Sequence, residues 1–193
     1  GISDKDWFVV LHIRDTDDVH DFRNADPKTY LKAIKKIISR GGHVIRMGRE
    51  ARYKFPKIKG LIDYPFSSMN SDFMDVFLAS SCKFCIGTSS GYAGLPPLFG
   101  RPLLLVNFLN TFEYFSYKYT DIFLPKTLVY KTNNKLVPLE KLFNFEIGNL
   151  VTNKSYEDKN IKIQDNTSEE ILAATEEMLS FVDKKDHNNH SND

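Results

Sequence analysis

The sequence predicts an α/β protein built on a doubly wound parallel sheet of about five strands with helices between them. Three observations predict it. Apolar, β-branched runs recur along the first 110 residues, and amphipathic helical stretches separate several of them. The connections are short, which favours right-handed parallel strand–helix–strand units. Arginines, glycines and small hydroxyl residues gather where three of the strands should end.

Trp7 to Ile13 is the first strand, apolar enough to be buried on both faces. A polar, acidic loop follows from Asp15 to Asn24. Asp26 then offers an N-cap with Pro27 at the first helical position. Tyr30, Leu31, Ile34, Ile37 and Ile38 repeat at helical spacing until Gly41-Gly42 stops the helix. His43 to Met47 is the second strand and Gly60 to Tyr64 a short third. Ser71 caps a helix to about Ser80, with Phe73, Phe77 and Leu78 expected to face inward. Lys83 to Ile86 is the fourth strand, Ser90 opens a helix or turn, and Pro102 to Val106 is the fifth. This order is that of a Rossmann-like sheet.

Beyond Asn107 the texture changes. Phe108, Phe112, Tyr114, Phe115, Tyr117, Tyr119 and Phe123 crowd one segment, read as packing or as a partner or membrane-facing edge. Leu128 to Pro138 carries a Thr132-Asn133-Asn134 turn. Thr167 or Ser168 caps a last helix, Glu169 to Val182, with Ile171, Leu172, Thr175, Met178 and Leu179 in one stripe. The reading is one domain over 1–183: a core over 7–110, an aromatic-rich extension over 108–165 and a helix over 168–182. Residues 184–193 are expected to be a disordered tail.

With 193 residues, 41% apolar and 26% charged, the chain suits a globular domain with a real core. A net charge of +1 excludes a general basic field for nucleic acid, so any anion site must be local. No stretch approaches the ~20 apolar residues of a membrane span. The start, Gly1-Ile2-Ser3-Asp4, has no initiator methionine or signal-peptide core and reads as a piece of something longer. Cys82 and Cys85 form a lone C-x-x-C in an expected strand. With no second pair to complete a zinc site, they read as packed core thiols in a reducing cytosol. Lys126, Lys131, Lys135 and Lys141 read as a solvated face.

Ligands of open parallel sheets bind along the C-terminal strand edge. There His12 and Arg14 alternate to one side of the first strand. Arg14 suits a diphosphate and the charge that builds on a leaving group, unless Asp15, Asp17 or Asp18 neutralises it. His12 is a candidate for the chemistry or a satisfied polar residue. Arg46 and Arg49 flank Gly48 at the second strand end, with Glu50, Asp63 or Asp72 as possible neutralising partners. Asp63 can accept from a base or ribose, or cap a turn. Gly87-Thr88-Ser89-Ser90-Gly91 leads from a strand into a helix start, where free N–H groups and the helix dipole welcome an anion. It matches neither a P-loop nor a dinucleotide fingerprint. The bland reading of that loop is a helix cap and a tight turn.

These residues resemble a known family. Leu11-His12-Ile13-Arg14, Asp15-x-Asp17 and the Tyr30 helix look like the H-x-R-x-x-D start of fucosyltransferase-like GT-B domains. Val44 to Gly48, Ile62-Asp63-Tyr64, Ser71 to Val76, Ile86 to Gly91 and Phe99-Gly100-x-Pro102 resemble a bacterial family of GT-B glycosyltransferases of surface-polysaccharide gene clusters. The likeness spans about Trp7 to Asn110. It implies the C-terminal, donor-binding half of a GT-B enzyme, with a GDP- or UDP-linked sugar as substrate and a glycan or lipid-linked acceptor. The acceptor domain and the general base would lie on the other half, for which this chain has no room. It further implies no metal and no cofactor, Asp15-Thr16-Asp17 being the nearest approach to a D-x-D. A cytoplasmic location, at most peripheral to the inner membrane face, follows from the same likeness. The alternatives are a sugar-nucleotide epimerase of the same architecture and a non-catalytic binding module.

Overall fold

The computed structural model describes residues 2, 3, 5–16, 21–109, 120–144 and 146–190, and the side chains of all of these except 21 and 185–190. Six strands form one fully parallel sheet: β1 (Phe8–His12), β2 (His43–Met47), β3 (Leu61–Asp63), β4 (Cys85–Gly87), β5 (Leu103–Phe108) and β6 (Ile122–Pro125). Their order is β3-β2-β1-β4-β5-β6, so the winding reverses between β1 and β4. The doubly wound Rossmann-like sheet expected from the sequence is therefore present, with β6 as a strand beyond the five. Asp17, Asp18, Phe112, Tyr114, Phe115, Tyr117 and Tyr119 lie outside the described residues.

One sheet face is covered by α1 (Leu31–Ser39) and α6 (Ser168–His190). Asp26 caps the start, its carboxylate accepting from Lys28 N–H, but Pro27–Tyr30 winds as a 3-10 turn before α1 begins. Ile34 and Ile37 of α1 and Ile171, Met178 and Leu179 of α6 are almost wholly buried. Each such side chain contributes about 1.5–3 kcal/mol. At the start of α6 a buried amide pair joins the layers. Asn107 N–H donates to Asn166 Oδ1 at 2.7 Å, and Asn166 N–H donates to Asn107 Oδ1 at 2.6 Å. Asn107 Nδ2 also donates to the Tyr30 hydroxyl at 2.9 Å. The helix does not stop near Val182 but continues to His190, so the expected disordered tail is helical over 184–190. No glycine or proline interrupts that stretch.

The other face is covered by α2 (Asp72–Ser81) and the single turn α3 (Leu95–Leu98). Ser71 caps α2 as expected, accepting from Met74 N–H. Its inward face is not the expected one: Leu78 is buried, whereas Phe73 is 75% and Phe77 48% exposed. The two rings instead stack on each other at 6.3 Å. The C-x-x-C does not lie in one strand, since Cys82 ends α2 and Cys85 opens β4. Both thiols are free and buried, and burial pushes Cys82 up to about 12.

A third cluster lies around an antiparallel hairpin, β7 (Thr127–Tyr130) with β8 (Ile161–Gln164), and two short helices, α4 (Leu139–Leu142) and α5 (Asn153–Asp158). Lys126, before the hairpin, is not on a solvated face. It is 4% exposed and pairs with Asp165 at 2.7 Å. Among the described residues no helix is long and apolar enough to cross a membrane.

Candidate functional site

The reversal between β1 and β4 is where open α/β sheets leave a crevice for ligands. His12, the last residue of β1, is in register with Gly87 of β4 on one side and Met47 of β2 on the other. A cavity of about 240 Å³ opens above these ends. It is lined by segments that follow β1 (His12, Arg14, Asp15), β2 (Gly48, Glu50) and β4 (Ser90, Gly91, Tyr92). A larger cavity, about 570 Å³, lies between the N-terminal segment and α2, but its lining is mainly apolar side chains such as Phe8, Ile45, Ile62 and Met74. Convergent polar groups distinguish the first.

His12 is tied down on two sides. Its Nδ1 is 3.0 Å from Ser90 Oγ, and its ring stacks on Tyr92 with centroids 5.5 Å apart. Ser90 also accepts from Ala93 N–H, capping the turn that starts at Gly91. Burial first, then the charges of Arg46 and Arg14, push the imidazole down to about 4. It is neutral at physiological pH and a poor proton acceptor there, which makes it a hydrogen-bonding group. Arg14 lines the cavity, and its N–H donates to Thr88 Oγ1 at 2.9 Å.

Arg46 takes the neutralised alternative that the sequence left open, with Asp63 as one of the partners it offered and Asp15 as an additional one. Its side chain is fully buried and lies between Asp15 and Asp63, with nitrogen–oxygen distances of 3.2 Å to each. The rings of Phe55 and Phe66 sit 5.9 Å from its guanidinium carbon. The carboxylates also accept backbone N–H bonds: Arg52 and Tyr53 donate to Asp15 at 3.1 and 2.8 Å, and Phe55 donates to Asp63 at 2.9 Å. Arg46 thus anchors the helix-free loop between β2 and β3, whose first residues form a wall of the cavity. Asp63 is committed to this cluster. Arg49, at the rim, is 58% exposed and is paired with Asp72 and Asp75. Gly48 takes φ +119, a conformation that favours glycine and bends the chain away from β2.

The small-residue loop divides in two. Gly87, Thr88 and Ser89 are buried, and a Cβ at Gly87 would sit 2.8 Å from Ala93 Cβ, so close packing explains that glycine. Thr88 N–H donates to the His12 carbonyl at 3.1 Å. Only Ser90 and Gly91 of the five reach the cavity lining. Past Ser90 the chain winds through a 3-10 turn, Gly91–Gly94, and then the four residues of α3, so of the helix or turn that Ser90 could open, the fold has the turn.

Of the sequence candidates, the fold therefore brings together His12, Arg14, Gly48, Arg49, Ser90 and Gly91 around the cavity. Arg46, Asp63, Gly87, Thr88 and Ser89 form the layer beneath. Sequence reasoning missed Tyr92, the residue directly after the small-residue loop. It also offered Asp15 only as one possible neutralising partner of Arg14, whereas the fold pairs it with Arg46. Among the described residues no three histidine, cysteine or acidic side chains come together as metal ligands.

No family model matches the chain, and no curated protein matches it. Among solved structures, the fold is similar to that of the dodecameric iron-containing heptosyltransferase TibC in complex with ADP-D-β-D-heptose, at a TM-score of 0.50 and 13% identity over 94% of this chain. The dodecameric glycosyltransferase TibC from enterotoxigenic E. coli H10407 gives the same score and identity over 96% of this chain. In both cases the match takes in 47% of the other protein, so this chain spans about half of their length. At such identity the likeness is one of fold: this chain shares the α/β architecture found in half of a glycosyltransferase.

Proposed function

We propose that this chain is the donor-binding half of a GT-B glycosyltransferase that moves a sugar from a nucleoside diphosphate to a glycan or lipid-linked acceptor of surface-polysaccharide or lipopolysaccharide assembly. The observation that carries the proposal is the meeting of His12, Arg14, Ser90 and Gly91 at the reversal of strand order. Arg14 is assigned to the diphosphate, where a planar guanidinium matches phosphoryl oxygens and offsets the charge that grows on the leaving group. His12, neutral, and the Ser90 hydroxyl supply hydrogen bonds to phosphate or sugar. The cavity of about 240 Å³ is smaller than the roughly 300–1,000 Å³ of a complete small-molecule site, which suits a half-site closed by a second domain.

In the transfer, an acceptor hydroxyl oxygen bonds to the anomeric carbon while the carbon–oxygen bond to the diphosphate breaks. The bond's electrons leave with the nucleoside diphosphate, and the hydroxyl proton passes to a base assigned to the second domain. The reading needs no metal or cofactor, and places the protein in the cytoplasm, peripheral to the membrane where its acceptor is lipid-linked. Titration calorimetry with ADP, GDP, UDP, CMP and dTDP tests it, beside a folded Arg14→Ala variant. Saturable binding of one nucleotide, lost in the variant, is expected. Equal binding by the variant would remove Arg14 from the site, and no binding of any nucleotide would refute the donor-site reading.

A further inference from the structure

The loop that leaves β1 returns alongside itself. Ala25 N–H donates to the Arg14 carbonyl at 2.9 Å. The Asn24 amide spans Thr16 in both directions, accepting from its N–H at 3.3 Å and donating to its carbonyl at 2.6 Å. Residues 14–16 and 24–25 therefore run side by side, so Arg23, the last residue of the 3-10 turn Asp21–Arg23 and the one before Asn24, reaches the stretch of chain that lines the cavity through Arg14 and Thr16, without itself belonging to the lining.

Arg23 shares a buried Nε without an acceptor with Arg46, and differs from Arg46, Arg49 and Arg101 in what the rest of its guanidinium holds. Arg46 and Arg49 each hold two carboxylates, and Arg101 Nε donates to the Ser80 carbonyl at 2.7 Å. Among the described residues, buried Arg23 Nε meets no hydrogen-bond acceptor and its guanidinium pairs with no carboxylate. Its contact is the face of Phe22, whose ring centre is 5.9 Å from the guanidinium carbon. Phe22 is itself buried in the hairpin cluster, so the guanidinium rests on a fixed platform. An arginine cannot shed its proton to escape burial, and an unmatched buried donor is costly. Such a group is explained when a ligand oxygen completes it.

We propose that Arg23 is a second anion-binding residue of this site, gripping a phosphoryl oxygen of the donor's diphosphate from the loop beside Arg14. This rests on the donor-site reading above, and inorganic pyrophosphate serves as a probe that separates the two.

Wild-type protein and Arg23→Gln are titrated calorimetrically with pyrophosphate and with the five nucleotides, alongside thermal unfolding. The expected result is weakening on the order of tenfold or more for pyrophosphate and for the cognate nucleoside diphosphate, at an unfolding midpoint of the ligand-free protein that does not fall. Arg23→Lys, which keeps the charge without the fork, should fall between. Equal binding by Arg23→Gln overturns the assignment while leaving the donor site standing. Pyrophosphate binding that depends on Arg23, with no nucleotide bound, supports the anion site and overturns the nucleotide reading. Binding of neither overturns both. Should Arg23→Gln not fold, the Arg23 Nε–H resonance of the wild-type protein, assigned with Arg23→Lys, decides. It should shift on titration with pyrophosphate, and a resonance that stays in place overturns the assignment.

Discussion

Replacing Arg46 by methionine removes a guanidinium that is wholly buried while leaving its carboxylates in place, Asp15 and Asp63 being 10% and 14% exposed. Breaking a buried pair from one side costs about 3–5 kcal/mol, because the remaining charge is stranded. Here two are stranded, yet each carboxylate keeps backbone N–H donors from Arg52, Tyr53 or Phe55, which holds the expected loss near about 3 kcal/mol. For a chain of this size that lowers the unfolding midpoint by about 6–12 °C. Urea unfolding at neutral pH, with calorimetry for the midpoint, measures it. A second arm repeats Arg46→Met in an Asp15→Asn, Asp63→Asn background, where the same substitution should cost much less. Arg46→Lys should recover part of the stability, since one ammonium cannot span both carboxylates as the fork does. A loss below about 1 kcal/mol, the range of a solvent-screened pair, would refute the buried-cluster account. A variant of full stability that loses nucleotide binding would return Arg46 to the ligand-binding role its strand-end position suggests.

The same geometry sets three other expectations. The His12 imidazole should remain neutral from pH 8 down to about pH 5 and titrate near 4, as followed by NMR; a midpoint near 6.5 would contradict its burial. Its folded value lies below the unfolded one, so its contribution to stability is present above pH 6.5 and is lost as pH falls from there through about 4. Gly87→Ala should cost about 1–3 kcal/mol in urea unfolding through the clash with Ala93, and a neutral result would mean that β4 and the turn after it are loosely packed. Phe73→Ser should change stability by no more than about 0.5 kcal/mol, because the ring is mostly exposed; a core-sized loss would restore the inward face expected from the sequence.

Local signals made the frame legible. Continuous apolar runs identify the strands, Asp26-Pro27 and Ser71 mark two starts, and the turn residues between them allow only short parallel connections. The order in which those strands close into a sheet, β3-β2-β1-β4-β5-β6, belongs to the tertiary structure. The aromatic spacing in α2 misled because the helix covers only part of a sheet face. Its apolar residues outnumber the positions that α3 and the sheet leave for them to bury, so Phe73 and Phe77 remain outside. Lys126 misled for the opposite reason. Its burial depends on Asp165, brought beside it by a hairpin that closes far along the chain.

At the site the same division holds residue by residue. The sequence by itself determined that His12, Arg14, Arg46 and the Gly87–Gly91 loop would meet at one sheet edge, since strand ends in a parallel sheet share a direction. Only the tertiary structure decided which of them face the cavity and which are neutralised beneath it. Asp15 and Asp63 reach Arg46 from different strand ends, and Ser90 reaches His12 across the switch point. Charge pairing acts over a few ångströms in space, and those distances are set by strand register and loop path, which no local spacing in the chain encodes.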